Sequence, residues 1–243
     1  MIDKIFSNIK TLTIAILIAV MIRSLFFHPF YIPSSSMEPS LLIGDRIFAS
    51  KYSYGYSKHS FPFSPPIIKE RLFFSKPNYG DLVIFKTPVD NRTDYIKRLI
   101  GLPGDKIQFI NGDIYLNNKK ILRTKINKTI KIRCGGSSYT EVKAYEEILP
   151  NGKKYIAVYN ELGTMMNTDI FTVPDKHFFF LGDNRDCSRD SRYLSSVGYV
   201  HQNNLVGKAR MIFFSHDTLK GSIFKFWNWG KTMRLKRFFN KLT

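Results

Sequence analysis

Apolar residues run almost without interruption from Thr11 to Phe30, broken by Arg23, His28 and a few hydroxyl side chains, with Lys4 and Lys10 ahead of them. As a helix, a run of about 20 residues extends roughly 30 Å, the thickness of a bilayer hydrocarbon core. One membrane span is predicted here. A cleaved secretory signal begins in the same way, but no small-x-small pair follows the run. Arg23, Phe26 and Phe27 stand where such a site belongs, and this favours an uncleaved anchor. Arg23 can keep its stem in lipid and its guanidinium at the interface. Lys4 and Lys10 place the N-terminus in the cytoplasm and the long chain beyond the span outside it.

After the anchor the pattern changes to short apolar runs separated by Gly, Pro and Asn, which predicts β structure. Leu82 to Phe85, Tyr95 to Ile100, His177 to Leu181 and Lys208 to Phe214 read as strands, with a tight turn over Gly101 to Asp105. Ile107 to Ile110 and Ile114 to Leu116 flank Asn111-Gly112, a hairpin signal because both turn positions tolerate positive φ. The chain divides into a short N-terminus (1–10), the anchor (11–30), a mainly β core (31–110 and 174–215), an inserted β region (111–173) and a basic, aromatic tail (216–243). Residues 51–78 read as a long loop or short-strand excursion. In the tail, Leu235, Phe238, Phe239 and Leu242 share one face of a helix, suited either to a membrane interface or to packing on the domain.

Apolar residues make up 44% of the chain and aromatics 15%, enough for a folded core and unlike a disordered protein. The net charge of +18 raises nucleic acid as a partner. Seven basic residues and no acid lie between Lys119 and Arg133, and seven more between Lys220 and the end. Anionic lipid attracts the same charge, no nucleic-acid-binding motif is present, and no nucleic-acid partner is expected. Cys134 and Cys187 lack zinc-ligand spacing, and their separation leaves open whether they pair. Neither a metal nor a cofactor is expected.

Three segments carry candidate chemistry. Pro33-Ser34-Ser35-Ser36-Met37-Glu38-Pro39 offers three serines, each needing a base to become a nucleophile. The five histidines are scattered and none sits in a motif that marks a triad. Lys97, in the apolar strand from Tyr95, is an alternative base, because burial disfavours an ammonium. Strand alternation does not choose between Lys97 and Arg98, but arginine stays protonated. The third segment, Gly182 to Arg192, is dense in Asp, Arg and Ser. Asp183, Asp186 and Asp190 lack the glycine and final glutamate of a calcium loop.

In this order, behind an anchor, the segments resemble the bacterial type I signal peptidases. The nucleophile box PS-x-SM-x-P spans Pro33 to Pro39, the lysine box Y-x-KR-x-x-G-x-PGD spans Tyr95 to Asp105, and GDNR-x-x-S-x-DSR spans Gly182 to Arg192. A fourth element, GD before an apolar strand, spans Gly80 to Phe85. Cys187 stands where Asn is common. The resemblance implies a signal-peptidase/LexA-like β catalytic core, with Ser36 as nucleophile and Lys97 as base. It assigns the Ser34 hydroxyl and the Ser36 N–H to the oxyanion and Ser188 to orienting Lys97. Asp190 and Arg192 are a supporting salt bridge, and Asp183 and Arg185 are structural. Phe30, Ile32, Pro33, Met37, Leu41, Tyr95 and Ile96 are candidates for substrate contacts. The implied substrates are signal peptides of secretory preproteins with small residues one and three positions before the cut.

The implied place is the extracytoplasmic side of a bacterial inner membrane, with lipid as a partner. Ser36 follows Phe27 by nine residues, at most about 30 Å of extended chain, so the serine stays near the bilayer. Two rivals are a LexA-type self-cleaving Ser-Lys protease, which joins its protease to a DNA-binding domain, and a non-enzymatic, membrane-anchored basic binding protein.

Overall fold

The computed structural model describes residues 2–66, 68–134, 138–160 and 165–242. Its first element, α1 (Ile2–Leu25), contains an apolar stretch, Phe6–Leu25, long enough to cross a bilayer, and almost none of that stretch is buried against protein. The helix stops short of the expected Phe30. Phe27–Tyr31 instead forms strand β1, antiparallel to β2 (Asp45–Ser50). Pro29 explains the break: it lacks an N–H and disfavours helix in the residue before it. On β1, the outer strand of its sheet, that missing donor is tolerated.

Four strands predicted from the apolar runs form with small changes of boundary: β3 (Leu82–Lys86), β4 (Asp94–Gly101), β12 (His177–Leu181) and β14 (Leu205–Ser215). With β1, β2 and β13 (Val200–His201) they make a seven-stranded antiparallel sheet in the order β1-β2-β14-β3-β4-β12-β13. Register shifts in β14 and β12 bend it. The unbroken apolar runs LVIF and FFFL reflect burial of both faces. Leu82 and Ile84 of β3 pack with Ile32, Met37, Leu41 and Ile47, while Val83 and Phe85 pack with Phe178 and Phe180 of β12. Phe179 and Leu181 face a third cluster with Ile100 and Ile107. Polar alternation has no place on such strands.

The hairpin β5 (Lys106–Ile110) and β6 (Asp113–Leu116) turns at Asn111 and Gly112, both with positive φ. β7 (Lys119–Lys120) and β11 (Phe171–Thr172) extend this sheet on its two sides. The rest of the inserted region is a separate antiparallel sheet of β8 (Leu122–Arg133), β9 (Tyr139–Ile148) and β10 (Lys154–Tyr159). Of the seven basic residues from Lys119 to Arg133, two form β7 and five lie on β8, whose neighbour β9 supplies Glu141 to Lys131. This sheet also bonds to the core: Val158 N donates to Asp183 O, and Arg185 N donates to Val158 O.

The tail differs from the expected helix. Its α-helix, α2 (Trp229–Thr232), is four residues long, and among the described residues Leu235 to Leu242 hold only a single 3-10 turn, Leu235–Arg237. There the chain runs back along β14, with Phe239 N donating to Ile212 O and Leu242 N to Arg210 O. The Phe238 ring lies tilted against Phe214 with centroids 5.3 Å apart, Leu242 packs on the core, and Arg237 pairs with Asp45 at 2.6 Å. Phe239 points outward. Phe239 has a positive φ, so the chain turns there, and neither a regular helix nor a regular strand sets which side chains face the core.

Candidate active site

Ser36 sits in a short segment pinned from three directions. Ile32, Met37 and Leu41 are buried beneath it, Ile32 N donates to Asp45 O, and Gly44 N donates to Ile32 O. Glu38 is buried too. It accepts the Arg133 N–H at 2.7 Å and lies 3.5 Å from the Arg133 guanidinium, while burial holds its pKa above the ordinary carboxylate value. From the far side Asn184 N donates to Ser36 O at 3.2 Å, and the Asn184 amide donates to Ser35 O and Arg133 O. The serine is thereby fixed by backbone contacts and leaves its hydroxyl for other work.

That hydroxyl meets Lys97. The Lys97 ammonium donates to Ser36 Oγ, and the Ser34 and Ser36 hydroxyls lie 3.3 Å apart. Lys97 comes from β4, where its neighbour Val83 of β3 is fully buried. Burial is the largest influence on Lys97 and pushes its pKa down to about 8; Asp190 and Asp183 oppose the fall, and Arg192 adds to it. The Tyr95 ring lies 5.5 Å from the ammonium. Arg98, next along the strand, points to the other face. It forms a two-bond pair with Asp183 at 2.7 and 2.8 Å and donates to Gly80 O.

The loop from Gly182 to Arg192 holds these groups in place. Besides Asp183 with Arg98, Arg185 forms a two-bond pair with Glu147 at 2.9 and 2.6 Å and donates to the Tyr155 hydroxyl. Asp190 accepts from Arg192 Nε at 2.8 Å and from Gly182 N at 3.0 Å. All six members of these pairs are buried. Burial opposes the ionisation of Glu147 and Asp190, but their arginines outweigh it and hold both pKa values below the ordinary carboxylate value. Charges so buried are tolerated only when paired and hydrogen-bonded, and losing one partner strands the other.

Gly182 is required by space. A Cβ there would lie 2.2 Å from Ser188 Oγ and 2.5 Å from Ser36 O. The Ser188 hydroxyl is buried and makes no hydrogen bond, so no contact joins it to Lys97 in this arrangement. Cys134 at the end of β8 and Cys187 beside Ser188 form a disulfide, which answers the question their spacing left open and ties the loop to the inserted sheet.

A groove of about 320 Å3 opens beside the Ser36–Lys97 pair. Phe30, Ile32, Pro33, Tyr95 and Ile96 line it, together with Ile47 and Ile84, which were absent from the sequence-based set. Met37 and Leu41 do not line it; both lie in the core beneath. Glu147, Tyr155, Arg133 and Arg98 were also missed as supports. Nothing in the sequence marked Glu147, since it stands in a strand of alternating charges 38 residues before its partner.

The sequence profile described as signal peptidase, peptidase S26, matches residues 5–214. The signal peptidase I of Rickettsia conorii is 42% identical over 246 residues, covering 93% of this chain and 89% of that protein. The signal peptidase I of Rickettsia typhi is 41% identical, with coverage of 95% and 91%. A solved signal peptidase I from Enterococcus faecalis V583 overlaps 55% of this chain and 97% of its own, at 25% identity and a TM-score of 0.32. On a profile match across most of its length and relatives this similar, the chain belongs to the signal peptidase family of serine endopeptidases, peptidase S26.

Proposed function

We propose that this protein is a membrane-anchored serine endopeptidase that removes signal peptides from exported preproteins with a Ser36–Lys97 dyad. The observation that carries this reading is a buried lysine in hydrogen-bonding contact with a serine hydroxyl beside an apolar groove. A lysine in water is neutral in only about one molecule in several thousand at pH 7. At a pKa of about 8 the neutral fraction rises to about a tenth.

In the reaction, Ser36 Oγ attacks the scissile carbonyl as neutral Lys97 takes its proton. The oxyanion of the tetrahedral intermediate is met by the Ser34 hydroxyl and the Ser36 N–H, donors fixed before the charge develops. Lys97 returns the proton to the departing amine, leaving an acyl-enzyme on Ser36. It then deprotonates a water that attacks the ester, and its proton restores the Ser36 hydroxyl as the signal peptide leaves. Ser188, whose hydroxyl is unbonded in this arrangement, orients the Lys97 amine only after that hydroxyl turns toward it. The apolar groove, lined by Phe30, Ile84 and Ile96 among others, takes the small residues one and three positions before the cut.

α1 is a single span, and the catalytic domain stands on the extracytoplasmic face of a bacterial inner membrane. Lys51 N donates to Phe26 O and the Tyr56 hydroxyl to Leu25 O, which fastens the helix end to the domain and keeps the dyad close to the lipid. A preprotein held in the same bilayer meets it at raised effective concentration. The test is preprotein cleavage by membranes carrying the wild type, Ser36→Ala or Lys97→Ala. Both variants are expected to lose cleavage; full processing by either one overturns the dyad.

A further inference from the structure

A second cavity, of about 560 Å3, lies where α1 joins the β domain. Its size falls within the roughly 300–1,000 Å3 typical of small-ligand sites. Arg23, Lys51, Lys58, Lys86 and Arg92 line it, with two carboxylates, Asp90 and Asp94. Asp94 is engaged with Lys86 at 2.9 Å, and Asp90 is taken up by the hydroxyls of Thr87 and Thr93 and the N–H groups of Arg92 and Thr93. Arg23, Lys51, Lys58 and Arg92 have no carboxylate within ion-pair distance among the described residues.

A merely solvated basic patch would leave its lysines in water. Lys51 is 4% exposed, and its ammonium donates to Ser60 O at 2.5 Å. Burial, with Arg23 and Lys86 nearby and Asp94 opposing, brings its pKa down to about 8. His28, on the same wall, is driven to about 4 by burial and by Lys51, Arg23 and Lys86. These cations are close enough to repel one another, an arrangement that an anion in the cavity relieves. The combination of guanidinium forks and ammonium point charges suits a phosphate.

Position identifies the source of that phosphate. Arg23 and Ser24 belong to the last turn of α1, so the cavity sits at the depth where a spanning helix leaves the hydrocarbon. Phe63, also on its lining, is fully exposed, and Phe26 and Phe27 nearby in the chain are about half exposed, as expected of side chains that rest in lipid. We propose that this cavity binds a phosphate group, and that its occupant is the headgroup of an anionic phospholipid. The choice of lipid rests on the membrane-anchor reading above; the binding itself is independent of the dyad.

The test uses the full chain in a neutral detergent, titrated calorimetrically at constant ionic strength with dihexanoyl phosphatidylglycerol, dihexanoyl phosphatidylcholine and inorganic phosphate. One saturable site for the glycerol lipid is expected, with none for the choline lipid and weak or no binding of inorganic phosphate. Lys51→Gln and Lys58→Gln should each weaken it about tenfold, the loss of one charge-assisted hydrogen bond. The Lys58 side chain makes no ion pair, so its variant tests the site even if Lys51→Gln fails to fold. Lys231→Gln and Lys236→Gln, in the tail, should leave the affinity unchanged. Equal binding of inorganic phosphate at the same site overturns the lipid assignment. Absence of saturable binding, or equal weakening by the tail variants, overturns the site. Ser36→Ala should bind lipid normally, so a failure of the catalytic reading stays separate from a failure of this one.

Discussion

Lys97→Met removes the proposed base while keeping most of its length and volume, and it turns the burial of Lys97 into a measurable stability change. Burial brings the lysine from 10.5 to about 8, which costs the protonated folded protein about 3 kcal/mol. Below about pH 8 folded and unfolded chains both hold the proton and the whole cost is felt. Between about 8 and 10.5 only the unfolded chain holds it, so wild-type stability climbs with pH; above 10.5 the cost is gone. Lys97→Met escapes the cost at every pH. Its removal strands no acid, because Asp183 and Asp190 keep Arg98 and Arg192, and Ser36 keeps its contact with Ser34. At pH 7 the inactive variant should melt about 10 °C above the wild type, the shift that about 3 kcal/mol gives in a chain of this size. Thermal unfolding of the full-length protein in detergent at pH 7 and pH 9.5 measures this, and the advantage should shrink at the higher pH. In parallel, wild-type kcat/KM should rise with pH through a midpoint near 8. A variant less stable than wild type at pH 7, an advantage that persists unchanged at pH 9.5, or a midpoint near 10.5 refutes the desolvated lysine.

Gly182→Ala places a methyl group 2.5 Å from Ser36 O and should displace the nucleophile, lowering kcat/KM by about a hundredfold or more; wild-type rates from this variant would show that the loop yields without moving Ser36. Glu147→Gln leaves the buried Arg185 guanidinium without its counter-charge and should cost about 3–5 kcal/mol in denaturant titration, although Glu147 lies outside the catalytic boxes. The double variant Cys134→Ser, Cys187→Ser opens a loop closed across 53 residues and should lose up to about 4 kcal/mol. Dithiothreitol should lower the melting temperature of the wild type and leave that of the double variant unchanged.

Local chemistry was enough to read some of the molecule from its sequence. The anchor and the strands around Leu82, Tyr95, His177 and Lys208 declare themselves because burial on two faces, or in lipid, demands unbroken apolar runs. The Asn111-Gly112 hairpin does so because few residues accept positive φ. Sequence also showed that Lys97, and not Arg98, is able to lose a proton, since that is a property of the side chain itself. Only the tertiary structure decided the rest, because it depends on which distant segments meet. Composition does not separate the three adjacent serines and resemblance alone singled out Ser36; what the fold adds is that Asn184 bonds the backbone carbonyls of Ser35 and Ser36 and that the Ser36 hydroxyl meets Lys97. The inserted region looked separable, yet it supplies Glu147 and Cys134 to the loop from Gly182 to Arg192 and Arg133 to Glu38 beside Ser36. The tail's apolar spacing suggested a helix lying on the membrane or on the domain, and bonds to β14 instead hold a short 3-10 turn and an irregular run against that strand. Periodicity reports which side chains are buried, but the partner each one finds is set by chain crossings that no local pattern records.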